Sequence, residues 1–327
     1  MTTEGKADGG CALFMAEALL KRLQALTAEV EGVRRAEDIE CVHRMRVASR
    51  RLRAALALAE GHLSRRKVAA WQKETRRLTR ALGAARDADV QIAFLQETLD
   101  ALPEARLRPG VERLRLRLAQ RREALQPPVM AALDRLAESQ LAADMGQTLR
   151  QVVVRSRLDG RESITADVLR EAYHAVARRL EEMLAYEPYV SKPECAEELH
   201  AMRIAAKRLR YTMELFAPLY EDGLKPPLQG VRALQELLGD IHDCDVWVSA
   251  LPQFLEEEEQ RTLAYFGSPR PMRRLAPGIA WLQQERHERR VRRHKEFTAA
   301  WQAAREQEAW PNLHRALKSR LEQPRTP

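Results

Sequence analysis

The chain has 327 residues, 45% of them hydrophobic, 31% charged and 5% aromatic, with a formal net charge of +8 at pH 7. That length supports a substantial core, and an Ala-, Leu-, Arg- and Glu-rich composition with 14 Gly and few β-branched runs predicts an all-α fold. The basic balance favours polyanionic partners, and no stretch approaches the roughly 18 apolar residues of a membrane span. After a polar, flexible start over 1–10, an apolar stripe of Leu13, Ala16, Leu20, Leu23 and Leu26 predicts a helix over 11–30. A basic helix follows over 37–61, then one over 64–82 that stops at Gly83, and one over 88–103 that ends at Pro103. An arginine-rich helix over 110–124 reaches Pro127-Pro128, after which helix resumes to Met145. The valine run and Asp159-Gly160 place a linker at 151–164. Helices are then predicted over 165–185, 194–219, 227–238, 243–260 and 277–305, with a flexible tail over 322–327.

Cys11, Cys41, Cys195 and Cys244 stand alone, without a CxxC pair, and the first residues lack a basic start followed by an apolar run. A reducing, cytoplasmic setting is the expectation.

Val42 to Arg53, VHRMRVASRRLR, returns 157 positions on as LHAMRIAAKRLR, Leu199 to Arg210. Leu78 to Val90, LTRALGAARDADV, returns at offset 156 as LQELLGDIHDCDV, Leu234 to Val246. Two motifs at nearly one offset read as an internal duplication, with helical halves at 11–150 and 165–321 that together make one domain. A third correspondence, Gly110, Leu114, Arg121 and Arg122 with Gly278, Leu282, Arg289 and Arg290, lies at offset 168 and implies an insertion in the second half.

On a helix, His43, Arg46, Arg50 and Arg53 fall within about 80°, while Met45, Leu52 and Leu56 gather on the other side. His200, Arg203, Lys207 and Arg210 repeat the basic face against Met202, Leu209 and Met213; Arg51 and Arg208 widen it. Each copy thus has one face for a core and one for an anion. Arg121 and Arg289 in the later helices are further candidates for the same path. Asp87, Asp89, Asp243 and Asp245 are read as helix-start caps or arginine partners, and Glu256 to Glu259 as a solvated helix end. His242-Asp243-Cys244-Asp245 holds metal-ligand types, but Arg86 and Ala88 replace His242 and Cys244 in the other copy, so no metal and no cofactor is expected.

The two H-x-M-R-[IV]-x-x-[KR]-R-L-R helices and the LG-x-x-x-D-x-D-V segments resemble the CHAD family, the conserved histidine α-helical domain. The likeness runs from about Cys11 to Leu321 and implies two pseudo-symmetric four-helix bundles that bind inorganic polyphosphate along a basic groove or pore, often at polyphosphate granules. Some members carry a triphosphate tunnel domain with an ExExK strand motif; this sequence has none, so it reads as the stand-alone binding type. Polyphosphate has charge but no bases to read, which suits many spaced cations and little else. The rival readings are phosphoryl transfer by the histidines and general nucleic-acid binding. No phosphate-cradling loop favours the first and no aromatic platform lies within either basic stripe to favour the second, so a non-enzymatic module is expected.

Overall fold

The computed structural model describes residues 9–35 and 38–322. Twelve α-helices are found among them, and no strand: α1 Gly9–Thr27, α2 Val30–Arg35, α3 Ile39–Leu58, α4 Arg65–Asp100, α5 Arg108–Ala124, α6 Gln126–Glu138, α7 Leu141–Leu158, α8 Ala166–Leu184, α9 Ala196–Phe216, α10 Lys225–Phe266, α11 Met272–Glu306 and α12 Ala309–Glu322. The all-α expectation holds. Of the segments expected to be flexible, 1–8 and 323–327 lie outside the described residues, while Gly9 and Gly10 open α1 and Glu322 closes α12.

Most predicted helices are present, with starts set by local chemistry. Asp38 caps α3 by accepting from the Glu40 N–H at 2.9 Å, and the Thr165 hydroxyl accepts from the Val168 N–H at 3.2 Å at the start of α8. Pro226 and Pro227 lie in the first turn of α10, where a missing N–H costs nothing.

Three expectations need correction. Gly83 and Gly239 do not stop helices: α4 and α10 run straight through them. Tertiary packing overrides the roughly 1 kcal/mol that Gly costs inside a helix. A Cβ at Gly83 would sit 3.8 Å from Arg46 Nε, and one at Gly239 would sit 3.7 Å from Arg203 Nε, so each glycine lies beneath the arginine of a neighbouring helix. Asp87, Asp89, Asp243 and Asp245 are therefore mid-helix and cap nothing. The supposed linker at 151–164 is helical to Leu158, because Leu149 and Ser156 are buried on the inner face of α7; only a short turn precedes α8.

The first six long helices pack as α1 on α3 and α7, α3 on α4, and α4 on α5 and α6. The later ones pack as α8 on α9 and α12, α9 on α10, and α10 on α11. These groups meet where α3 lies against α9, α5 against α11 and α1 against α8. Met45, Leu52, Met202 and Leu209, the apolar sides of the basic helices, are fully buried in one core that draws on both groups. Stacked rings of Phe14 and Phe216, 5.5 Å apart, tie α1 to α9 within it. With their apolar sides in that core, the basic sides of α3 and α9 come together where the two helices meet, beside α4 and α10.

Candidate functional site

Two cavities open beside the α3–α9 meeting. The first, about 500 Å³, is lined by His43, Arg46 and Arg50 of α3, Arg203 and Lys207 of α9, and residues of α4, α10 and α11. The second, about 330 Å³, is lined by Arg53, Arg76, Arg179 and Arg208. Arg50 and Lys207 line both, so matching positions of the two basic helices stand at the junction of one continuous basic surface. In the first cavity seven Arg and Lys face three Asp; in the second, six Arg and Lys face no carboxylate.

The carboxylates of the repeated motif hold the cations in place. Arg46 donates to Asp87 at 3.1 Å, and Arg203 lies 3.9 Å from Asp243. One residue pair further on, Arg122 donates to Asp89 at 2.7 Å, and Arg290 donates to Asp245. Arginine pairing, rather than helix capping, is thus what these aspartates do.

Burial and like charge act together at Lys207. Burial, followed by repulsion from Arg203, Arg50 and Arg46 and offset in part by Asp243, pushes its ammonium down to about 7. The histidines are lowered too. His242 falls to about 4 through burial and the neighbouring His200, Arg203 and Lys207; His200 is lowered by burial, Arg203 and Lys207. Both rings are then neutral at pH 7, and their Nδ1 atoms lie 2.9 Å apart, so one donates and the other accepts. His43, lowered by burial and then by Arg86, has that arginine where the other copy has His242.

Not every sequence-predicted cation reaches a cavity. Arg51 donates to Glu214 at 3.0 Å and Arg210 lies 3.3 Å from the same carboxylate, so both line neither cavity. Glu214 corresponds to Ala57 in the first copy, which leaves Arg53 without such a partner and facing the second cavity. Arg121 is exposed on α5 and outside both cavities, whereas its counterpart Arg289 lines the first. Asp240, 3.5 Å from Arg289, explains the difference, because Ala84 occupies its place in the other copy. His200 is set back, meeting the first cavity through His242.

Sequence reasoning missed Arg86, His242 and Arg286 in the first cavity and Arg76 and Arg179 in the second. The repeat contained a signal for two of them, since Arg86 and His242 occupy one register before an invariant pair of aspartates in both copies. Arg76 and Arg179 come from α4 and α8 and converge only in space. In the glutamate run Glu256, Glu257 and Glu259 are exposed as expected, and Glu258 alone departs. Glu258 is fully buried and accepts from Arg113 at 3.0 Å, Arg117 at 2.5 Å and Arg261 at 2.8 Å. Among the described residues no group of three or more His, Cys, Asp and Glu is placed to hold a metal ion, and no helix is long and apolar enough to cross a membrane.

Known proteins resemble this chain in sequence and in fold. Two Mycobacterium tuberculosis proteins, Uncharacterized protein MT2285 (strain CDC 1551 / Oshkosh) and Uncharacterized protein Rv2226 (strain H37Rv), are each 29% identical over 222 residues, covering 64% of this chain and 39% of the relative. The chain thus spans about two fifths of the length of these curated relatives. The crystal structure of the CHAD domain from the plant Ricinus communis shares the fold with a TM-score of 0.58 at 23% identity, covering 98% of this chain and 95% of that one. PptA from Streptomyces chartreusis shares it with a TM-score of 0.63 at 14% identity, covering 89% of this chain and 99% of that one. The CHAD domain family itself matches residues 17–252, the span that carries both histidine helices and both aspartate motifs. The chain belongs to the CHAD domain family.

Proposed function

We propose that this chain binds inorganic polyphosphate, without turning it over, along the two joined basic cavities, and that it does so at polyphosphate granules in the cytoplasm. The observation that carries this reading is the convergence of Arg46, Arg50, Arg203 and Lys207 from two separate helices on one accessible surface. Such a surface matches a linear polyanion: guanidinium forks donate paired bonds to phosphate oxygens, and Lys207 adds a point charge. The depressed ammonium of Lys207, set first by burial and then by repulsion from Arg203, Arg50 and Arg46, supports it as well, since an anion placed among those cations relieves the repulsion.

Replacing Arg46, Arg50, Arg203 and Lys207 together by Glu tests the site. Long-chain polyphosphate binding is expected to vanish while the helical circular-dichroism signal is kept; unchanged binding places the site elsewhere. Displacement by duplex DNA at equal charge concentration would overturn specificity for polyphosphate. Orthophosphate release by the purified protein, lost in a His43→Ala, His200→Ala double variant, would overturn the non-catalytic reading. A fluorescent fusion that stays diffuse in cells with phosphate granules would remove the granule assignment.

A further inference from the structure

An inorganic phosphate chain has no apolar surface, yet part of the first cavity is carbon. Val90 and Phe94 of α4 and Val246 and Trp247 of α10 line it beside the cations. Val90 is 47% exposed and Val246 38%, a cost that solvent-facing valines in a cationic cavity do not recover from polyphosphate. Phe94 is half-buried, with its ring 5.4 Å from that of Trp247. This aromatic pair is no by-product of the repeat, which matches Phe94 with Ala250 and Trp247 with Gln91. Arg286, itself buried, holds its guanidinium over one face of the Phe94 ring, 4.3 Å from its centre.

Along α4 and α10 the lining passes from charged to apolar, while Arg286 of α11 keeps one guanidinium against Phe94. Asp87 and Asp243, beside the cations of α3 and α9, precede Val90 and Val246 by about one helical turn, and Phe94 lies roughly a further turn along α4. A ligand that uses the whole cavity therefore has a short phosphate chain at one end and a compact, largely apolar group at the other, with hydroxyls between to donate to the aspartates. A volume of about 500 Å³ suits such a molecule. We propose that the first cavity binds nucleoside polyphosphates, with phosphates on Arg46, Arg203 and Lys207 and the base against Val90, Val246 and Phe94. This inference rests on the polyphosphate reading for its anionic end alone.

Titration calorimetry of the full chain with ATP and with sodium tripolyphosphate, in the same metal-free buffer, separates the two ends. ATP is expected to bind about tenfold more tightly, the effect of burying a few tens of Å² of apolar surface. In a Val90→Asn, Val246→Asn double variant that advantage is expected to fall to about twofold or less with tripolyphosphate affinity unchanged. A Phe94→Leu variant, which keeps the cavity apolar but removes the ring face, is expected to weaken ATP and spare tripolyphosphate. ATP binding no tighter than tripolyphosphate in the natural protein, or valine variants that weaken both ligands alike, overturns the inference. Long-chain polyphosphate binding that persists in that case leaves the underlying reading standing; its loss in the four-residue Glu variant is a separate result.

Discussion

Lys207 is the residue through which pH reaches the cavity. In the empty protein its ammonium is held near 7 by burial and by Arg203, Arg50 and Arg46, with Asp243 opposing them. A bound polyanion reverses the field, so at pH 8 binding is expected to take up close to one proton. Binding enthalpies measured in two buffers of different ionisation enthalpy report it, and the uptake should disappear in Lys207→Arg while binding persists. No uptake in the natural protein would place the ligand away from Lys207. The sign for stability follows from the same shift: the unfolded chain holds the Lys207 proton up to the ordinary value of 10.5 and the folded chain releases it near 7. Stability relative to Lys207→Met should rise with pH through that window, read as the urea midpoint at pH 7 and pH 9. Glu258 is the other decisive side chain, a buried carboxylate shared by three arginines. Because those arginines are partly solvated, Glu258→Ala is expected to cost about 2 kcal/mol, less than the roughly 3–5 kcal/mol of breaking a fully buried pair. A urea midpoint unchanged by that substitution would show the pairs to be worth nothing.

Two helices approach closely where α5 meets α11. A Cβ at Gly110 would lie 2.2 Å from the Leu275 carbonyl oxygen, and one at Gly278 would lie 2.0 Å from that of Leu107, so the two backbones touch through reciprocal glycines. Neither oxygen can move without carrying its helix. Gly110→Ala and Gly278→Ala are each expected to destabilise by about 1–3 kcal/mol, the usual penalty for overpacking. Gly230→Ala is the matched control: it lies exposed within α10 with nothing near its Cβ position, and should stabilise by about 0.5–1 kcal/mol through helix propensity. Equal urea midpoints for all three variants would contradict the close approach. The same crossing carries α11 alongside α10, which sets Arg286 and Arg289 at the first cavity.

For the whole molecule, the net charge of +8 and two carboxylate-poor cavities imply that the empty fold works against its own repulsion. Long-chain polyphosphate should therefore raise the melting temperature, and at a fixed phosphate concentration should do so more than tripolyphosphate, because one polymer reaches both cavities. Thermal scans at 50 and 200 mM salt check both points; a rise that is independent of chain length would confine the ligand to a single cavity. Affinity should fall steeply between those salt concentrations, as for other polyanion binders.

The fold class and the inner faces of the basic helices were legible in the sequence because each depends on local pattern. Apolar spacing alone assigns Met45, Leu52, Met202 and Leu209 to the core, where they are fully buried. Repetition likewise singled out His43, Arg46, Arg50, His200, Arg203 and Lys207, and the first cavity gathers all of them but His200. Other outcomes needed the third dimension. Glu214 stands four residues after Arg210, a pairing local spacing already allowed, but its bond to Arg51 and the bond of Asp240 to Arg289 join residues far apart in the chain. Gly83 and Gly239 look like helix stops in one dimension and in three lie inside unbroken helices beneath Arg46 and Arg203. Periodicity fixes which side of a helix is apolar, since that depends on neighbours three and four residues away; which charges stay unpaired depends on side chains delivered by distant helices, and only packing brings those together.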